Sequence, residues 1–115
     1  MNARDRHLGA VFSALADPTR RRLLGRLAEQ PSATATELAA AEPVSRQAIV
    51  KHLQSLDEAG LVTPSRAGRE VRYALTPAPL EDAAGWMTTV GAQWDQRLAA
   101  SGGSSKPVNN PTEGW

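Results

Sequence analysis

Two polar residues that suit the reading of DNA bases, Gln47 and Lys51, lie about one helical turn apart in the sequence. A glutamine side chain can form a bidentate pair with adenine, and a lysine can reach a guanine edge or a phosphate. In a helix that begins after Ser45, these side chains share a face with Ala48 and point away from the apolar stripe of the helix. The pattern predicts a base-reading surface, although the same two residues taken alone are typical of any exposed helix.

Neighbouring residues extend this surface. Ser45, together with the free N–H groups of the helix start, suits a phosphate oxygen, and Arg46 is placed to flank the DNA backbone. Val50 suits contact with a thymine methyl group. His52 has two interpretations of equal weight, a phosphate contact or packing beside the core residue Leu53.

Three arginines, Arg66, Arg69 and Arg72, decorate a hairpin that is predicted to follow this helix. Arginine side chains can enter a minor groove or bind its flanking phosphates. A purely structural turn does not need three of them, so we expect the hairpin to contact DNA, chiefly through Arg69. Arg72 has a competing interpretation, because it lies beside Glu70 on the outward strand face and can pair with an acid.

Apolar spacing and helix caps predict the elements that position these side chains. A first helix is predicted from Leu8, and a second begins at Asp17-Pro18, where aspartate is a good N-cap and proline loses no hydrogen bond. The second helix ends at Gln30-Pro31-Ser32, and its consecutive arginines, Arg20, Arg21 and Arg22, are expected to form a solvated start, with a contact of one of them to the DNA backbone as the alternative. The inward faces of the two helices consist of Leu8, Val11, Phe12 and Leu15, and of Leu23, Leu24, Leu27 and Ala28.

Two further helices have the outline of a helix-turn-helix. Thr34 and Glu37 fit the capping box of a third helix that runs to about Ala41. A three-residue turn, Glu42-Pro43-Val44, separates it from a fourth helix that Gly60 ends. The inward residues of the fourth helix are Ile49, Leu53 and Leu56.

Beyond the fourth helix, alternating residues predict two strands, Leu61 to Arg66 and Arg69 to Leu75, joined at Ala67-Gly68. Val71, Tyr73 and Leu75 are expected to face inward. A helix-turn-helix followed directly by a hairpin is a winged helix. The predicted fold is therefore mainly α (α+β), with about five helices and a two-stranded wing in the order α-α-α-α-β-β-α.

A last helix is predicted from Thr76-Pro77 onward, and its apolar and small residues form a heptad seam. The simplest partner for such a face is the same helix of a second chain, and the alternative is the first helix of its own chain; both can hold at once. We expect residues 1–100 to form one DNA-binding and dimerisation domain and residues 101–115 to be a disordered tail. The seam consists of Leu80, Ala84, Met87, Gly91, Trp94 and Leu98, widened by Trp86 and Val90.

Composition excludes several classes of protein. The 115 residues include no cysteine, which excludes disulfides and thiol chemistry and is compatible with a reducing cytoplasm. No apolar run approaches the ~18 residues of a membrane span, and no export signal is visible, so a cytoplasmic location is expected. No nucleophile motif, phosphate-binding glycine loop or obvious acid pair predicts an enzyme. The net charge is +1, but residues 1–76 carry 11 basic and 8 acidic side chains, so the positive charge lies in the N-terminal two thirds of the chain, where charge alone indicates a solvated basic face.

Three segments together resemble the ArsR-type (ArsR/SmtB-like) bacterial transcriptional repressors over about residues 8–98. The resemblance implies a homodimer held by the first and last helices, with two recognition helices in successive major grooves of a palindromic operator. It also implies repression by blocking polymerase, with autoregulation as a corollary. In the first helix the implied interface is Leu8, Val11, Phe12 and Leu15. The segments are Leu15-Ala16-Asp17-Pro18-Thr19-Arg20-Arg21, Val44-Ser45-Arg46-Gln47-Ala48-Ile49-Val50-Lys51-His52-Leu53, and Leu56-Asp57-Glu58-Ala59-Gly60-Leu61-Val62 with Gly68-Arg69-Glu70-Val71-Arg72-Tyr73.

The resemblance does not extend to a metal site. Many members of this family bind an inducing metal through cysteines in the third helix or through histidines and carboxylates in the last. Here the third helix carries Leu38-Ala39-Ala40-Ala41, and the last helix has no histidine. The two histidines, His7 and His52, are too few for a site of their own. We therefore expect no metal and no cofactor, and no motif identifies an inducer.

The alternative function is a winged helix that binds another protein instead of DNA. Such a module is expected to expose more apolar surface on its recognition helix, where Val50 is the only hint. Gln47, Lys51 and the hairpin arginines together favour DNA.

Overall fold

The computed structural model describes residues 3–100 and confirms the winged-helix fold. Five helices and three strands form a mainly α arrangement, with the wing between the fourth and fifth helices. The elements are α1 (Ala3–Leu15), α2 (Pro18–Glu29), β1 (Ala33–Thr34), α3 (Ala35–Ala39), α4 (Arg46–Glu58), β2 (Val62–Ala67), β3 (Glu70–Leu75) and α5 (Ala78–Ala100).

The helices begin at the predicted caps. The side chain of Asp17 accepts a hydrogen bond from the backbone N–H of Arg20, and Ser45 accepts one from Ala48. At α3 both halves of the capping box are present, because Thr34 Oγ1 accepts from the N–H of Glu37 and Glu37 Oε1 accepts from the N–H of Thr34. These bonds satisfy backbone donors that a helix start otherwise leaves unpaired.

Two helix boundaries differ from the prediction. The helix α1 begins at Ala3, several residues before Leu8. Its charged first turn forms helix in solvent, and the prediction missed it because that turn has no apolar period. The helix α3 ends at Ala39, and the N–H groups of Ala41 and Glu42 bond to carbonyls three residues back. The chain therefore tightens into a turn before α4.

The sheet has a third strand that the sequence pattern did not predict. The two-residue β1 pairs antiparallel with β3, placing Ala33 opposite Tyr73 and Thr34 opposite Arg72. The strand order is β1-β3-β2, so β3 is central. Two residues are too few to show alternation, and their partners lie far along the chain.

The tip of the wing lies one residue further along the chain than predicted. The strands β2 and β3 pair from Val62 opposite Leu75 to Ala67 opposite Glu70, which leaves Gly68 and Arg69 as a two-residue loop. Gly68 has φ 63°, and a glycine at the first loop position suits the twist of a hairpin. Tyr73 and Leu75 pack against the core as predicted. The inward position expected for Val71 is wrong, because Val71 lies near the wing tip, beyond the core, and is 37% exposed.

The hydrophobic core joins α1, α2, α3, α4 and the base of the wing. A helix buries only one stripe of its surface, so each of these helices contributes residues three or four apart. The largest fully buried side chains are Leu23, Leu38, Ile49, Leu53, Leu56, Leu61, Val11 and Val62.

The chain divides into two compact units, Met1–Ala83 and Ala84–Trp115. The first contains the core and all three strands. In the described part of the second, every residue from Ala84 to Ala100 is exposed. Across residues 3–100, no helix is long and apolar enough to cross a membrane. The predicted tail, residues 101–115, lies outside the described residues, and the assignment of residues 1–100 to one domain stays a prediction.

Candidate nucleic-acid interface

The orientation of α4 is fixed by the burial of one of its faces. Ile49 and Leu53 have no exposed surface, so the inward stripe of the helix is anchored in the core. Gln47 and Lys51 are consequently exposed on the outer face, and Ala48 between them is half-buried. A capped helix of 13 residues thus presents two long polar side chains to solvent.

Arg46 and Val50 lie where α4 faces α3 and the wing. The Nε of Arg46 donates a hydrogen bond to Thr36 Oγ1 at 3.0 Å, while Val50 packs against the edge of the core. Ser45 is exposed at the cap. A groove of about 680 Å³ opens between these elements, and it is lined by Thr34, Ala35, Thr36, Glu37, Arg46, Val50, Arg69, Glu70, Val71 and Tyr73.

His52 is turned toward its own protein. Its Nδ1 lies 3.5 Å from Arg20 Nη1 and 3.9 Å from Asp17 Oδ2, and its side chain is 22% exposed. The pKa of the Asp17 carboxyl is lowered, chiefly because the carboxylate accepts the hydrogen bond from the backbone N–H of Arg20. His52 therefore connects the recognition helix to the junction of α1 and α2.

Arg21 and Arg22 are exposed, as expected for the start of α2, but Arg20 and Arg21 also form bonds to α1 that the sequence did not predict. Arg20 donates from Nε to the carbonyl of Ala14 at 2.7 Å, and Arg21 donates from Nη1 to that of Leu15 at 2.7 Å. These carbonyls belong to the last turn of α1, where no helical partner is available. The arginines thus close the end of one helix from the start of the next, an interaction that apolar periodicity does not reveal.

Glu42 in the turn between α3 and α4 holds two arginines of α2. Its Oε1 lies 2.9 Å from Arg22 Nε, and its Oε2 lies 3.2 Å from Arg26 Nε. The carboxylate side chain is only 1% exposed, whereas the two arginines keep a solvated side. The pKa of Glu42 is lowered, first by the hydrogen bond from Arg22. The bridge fixes the turn that separates the two helices of the motif.

The three wing arginines divide into two kinds. Arg66 and Arg69 are exposed, and within residues 3–100 neither guanidinium forms a hydrogen bond or ion pair. Arg72 is engaged with the protein, because its Nε donates to Ser32 Oγ at 2.9 Å and its Nη groups lie 3.2 Å from Glu70 and 3.3 Å from Glu37. The structure thus brings Arg66 and Arg69 to solvent and places Arg72 in pairing with acids.

The candidate dimer residues also fall into groups. Leu8 and Val11 are buried in the core of their own chain, so they have almost no surface left for a second chain. Phe12, Leu15 and Leu80 are partly buried against that core. The remainder, Ala84, Met87, Val90, Gly91, Trp94 and Leu98, are all exposed on α5, as is Trp86.

Within residues 3–100, no group of three or more acidic or histidine side chains is arranged to hold a metal ion.

Comparison with known proteins identifies the family. Residues 15–64 match a helix-turn-helix domain family. The chain is 35% identical over 77 residues to the transcriptional repressor SdpR of Bacillus subtilis, an alignment that covers 67% of this chain and 84% of SdpR.

Solved structures agree with this match. An ArsR-like transcriptional regulator from Rhodococcus sp. RHA1 is 45% identical with a TM-score of 0.73, and the match covers 83% of this chain and 89% of that one. The homodimeric winged helix-turn-helix DNA-binding domain of Mb0332 from Mycobacterium bovis is 27% identical with a TM-score of 0.59, covering 81% and 82% of the two chains. The chain is a member of the ArsR family of winged helix-turn-helix transcriptional regulators, and hence a DNA-binding regulator and not an enzyme.

Proposed function

We propose that the protein is a homodimeric repressor that reads a palindromic operator with α4 and holds the flanking DNA with its wing. The observation that carries this proposal is the exposed pair Gln47 and Lys51 on a helix whose opposite face is anchored in the core. A rigid helix of this kind fits the major groove of B-DNA.

The contacts on α4 divide between bases and backbone. Gln47 pairs with adenine, Lys51 reaches guanine or a phosphate, and Val50 and Ala48 supply apolar contact with a thymine methyl. Ser45 and the first N–H groups of the helix bind a phosphate, beside the free Nη groups of Arg46. His52 serves within the protein in this scheme, because its ring already faces Asp17 and Arg20.

The wing contributes Arg66 and Arg69. Both side chains are exposed, and Arg69 lies in the two-residue loop at the tip of the wing. A guanidinium at this position suits a minor groove or the phosphates beside it.

A second copy of the chain covers the apolar face of α5. Met87 is 51% exposed and Trp94 57% exposed, and apolar surface of this size on one helix is typical of an interface. The homodimeric state of Mb0332 supports this assignment. Residues 1–100 then act together in DNA binding and dimerisation. Two recognition helices related by a two-fold axis require half-sites about 10 base pairs apart or a small multiple of that spacing.

The direction of regulation is repression by blocking polymerase, with control of the protein's own gene. SdpR is named a transcriptional repressor, which supports this choice.

The test is fluorescence anisotropy with DNA from immediately upstream of the protein's own gene, with excess random competitor, at two salt concentrations. We expect salt-dependent binding that survives the competitor, with two chains per site. Loss of binding with competitor contradicts autoregulation and directs the search for the operator to site selection from a genomic library. Failure to bind any DNA at low salt contradicts the proposal as a whole and favours a winged helix that binds protein.

A further inference from the structure

Arg72 is held by a set of bonds that leaves little of its guanidinium free. Its Nε donates to Ser32 Oγ at 2.9 Å, and its Nη2 donates to the Ser32 carbonyl and to Glu37 Oε1, both at 3.3 Å. Its Nη1 donates to Glu70 Oε2 at 3.2 Å. A planar fork suits this arrangement, because its donors point in fixed directions. The side chain is 30% exposed.

The two carboxylates that Arg72 holds belong to the groove between α4 and the wing. Glu37 and Glu70 line this groove together with Arg46 and Arg69, whereas Arg72 is not part of the lining. Without Arg72 the two lining acids cancel the charge of the two lining arginines. With Arg72 included, three arginines stand against two acids, and the groove together with Arg72 carries a net charge of +1.

The position of the groove indicates what enters it. A recognition helix in a major groove and a wing in the adjacent minor groove enclose the sugar–phosphate strand that separates the two grooves. The groove lies between α4 and the wing, with β1 and the start of α3 lining it as well, so this strand is its occupant when DNA is bound as proposed above.

We propose that Arg72 is a positioning residue for DNA binding: it holds Glu37 and Glu70 and offsets part of their negative charge, so that a sugar–phosphate strand can occupy the groove between α4 and the wing. This inference rests on the proposed function. It assigns Arg72 no contact with the DNA, in contrast to Arg69, and it accounts for the two hydrogen bonds to Ser32, which a DNA-binding arginine does not need.

The test is a mutational cycle on binding of a DNA site that the wild-type protein recognises, measured at low salt where charge repulsion is least screened. The variants are Arg72→Ala, the pair Glu37→Gln with Glu70→Gln, and all three changes together. Glutamine at 37 retains the capping box. Arg72→Ala is expected to weaken binding about tenfold, because the groove then loses its net positive charge and the two carboxylates are no longer held away from the phosphates.

The decisive result is how much the removal of both acids changes DNA affinity in the Arg72→Ala variant compared with the protein that retains Arg72. Removing both acids is expected to restore the Arg72→Ala protein to within about threefold of wild type, and to improve the protein that retains Arg72 by less than about twofold. Arg72→Gln, which can still bond Ser32, replaces Arg72→Ala if thermal melting shows that the alanine variant is unfolded at the assay temperature.

Three outcomes would overturn the inference. Unchanged binding of Arg72→Ala shows that the groove does not depend on Arg72. An equal gain from removing the acids in both backgrounds shows that the acids repel DNA whether or not Arg72 is present. No rescue in the triple variant indicates a direct DNA contact or a purely structural brace. If wild type binds no DNA at all, the proposed function itself fails.

Discussion

Glu42 shows how the position of the candidate site depends on a charged side chain that is paired within the protein. Its carboxylate is almost fully enclosed and joins Arg22 and Arg26, which lie one turn apart on α2. Removing one partner of an enclosed charged pair leaves the other without compensation. At this scale, the turn of the helix-turn-helix is fixed by three side chains from two separate segments.

Glu42→Gln is expected to lower the free energy of unfolding at pH 7 by roughly 1–2 kcal/mol. The pKa of Glu42 is lowered in the folded state, so its carboxylate stabilises the protein at pH values above the ordinary pKa of 4.5. This stabilisation is lost as the pH falls through the lowered pKa. The difference between variant and wild type should therefore shrink in acid. Urea unfolding at pH 7 and near pH 3 measures it. Glu58→Gln, a change at an exposed acid on α4, is the control. A difference that is independent of pH contradicts this account.

Gln47→Ala is expected to cost ~1–3 kcal/mol on the operator and little on random DNA, because a base contact carries sequence information and a backbone contact does not. Competition anisotropy with both DNAs measures the two losses. Gln54→Ala, at an exposed glutamine near the far end of α4, is the matched control and should leave both affinities unchanged. Equal losses on both DNAs would assign Gln47 to the backbone.

At the scale of elements, the sequence predicts what is local. The caps at Asp17, Thr34 and Ser45 each bond a backbone group three residues away, so their residue types are sufficient to place the helix starts. The strand β1 and the bonds of Arg72 to Ser32 join residues 40 positions apart. Periodicity contains no information about such pairs, which form only when the core brings the segments together.

The same distinction applies to the candidate site. Exposure of Gln47 and Lys51 follows from the helical period once Ile49 and Leu53 are buried, and the structure agrees. The sequence left the roles of His52 and Arg72 open, because their partners Asp17 and Glu37 lie in distant segments. Tertiary contacts were needed to separate side chains that face solvent from those that face the protein.

Arg69→Ala is expected to weaken binding to all DNA sequences and to reduce the slope of log affinity against log salt by roughly one unit, because one phosphate contact and its released counterion are lost. Anisotropy titrations between about 50 and 200 mM salt measure the slope. Arg4→Ala, a change at an exposed arginine on α1, is the control for a general charge effect. An unchanged slope for Arg69→Ala would remove the wing tip from the DNA.

At the scale of the whole molecule, two compact units have different surfaces. The unit that contains the core buries its large aliphatic side chains, whereas the described part of the other exposes Trp86, Met87, Val90, Trp94 and Leu98 along α5. The heptad spacing predicted this apolar face, but a single chain does not show what covers it. In the proposed homodimer two recognition helices read a palindrome, so we expect the contact that α5 makes with the second copy to be required for operator binding.

Trp94→Glu is expected to convert the dimer to a monomer at micromolar concentration and to weaken operator binding at least about tenfold, because a charge at the centre of an apolar interface must be desolvated. Sedimentation equilibrium measures the mass, and anisotropy measures the binding. Gln96→Glu adds the same charge on the opposite side of α5 and should change neither. A wild-type mass of one chain would contradict the proposed dimer directly.

The tight loop at Gly68 and Arg69 also limits how the wing can change in length. The six residues of β2 and the six of β3 pair without interruption up to this loop. Side chains alternate between the two faces of a strand, so removing one residue from each strand would exchange the faces of all those beyond it. Only steps of two residues per strand, about 7 Å each, preserve the orientation of Arg66 and Arg72. The length of the hairpin can therefore change only in discrete steps of about 7 Å if its side chains are to keep their faces.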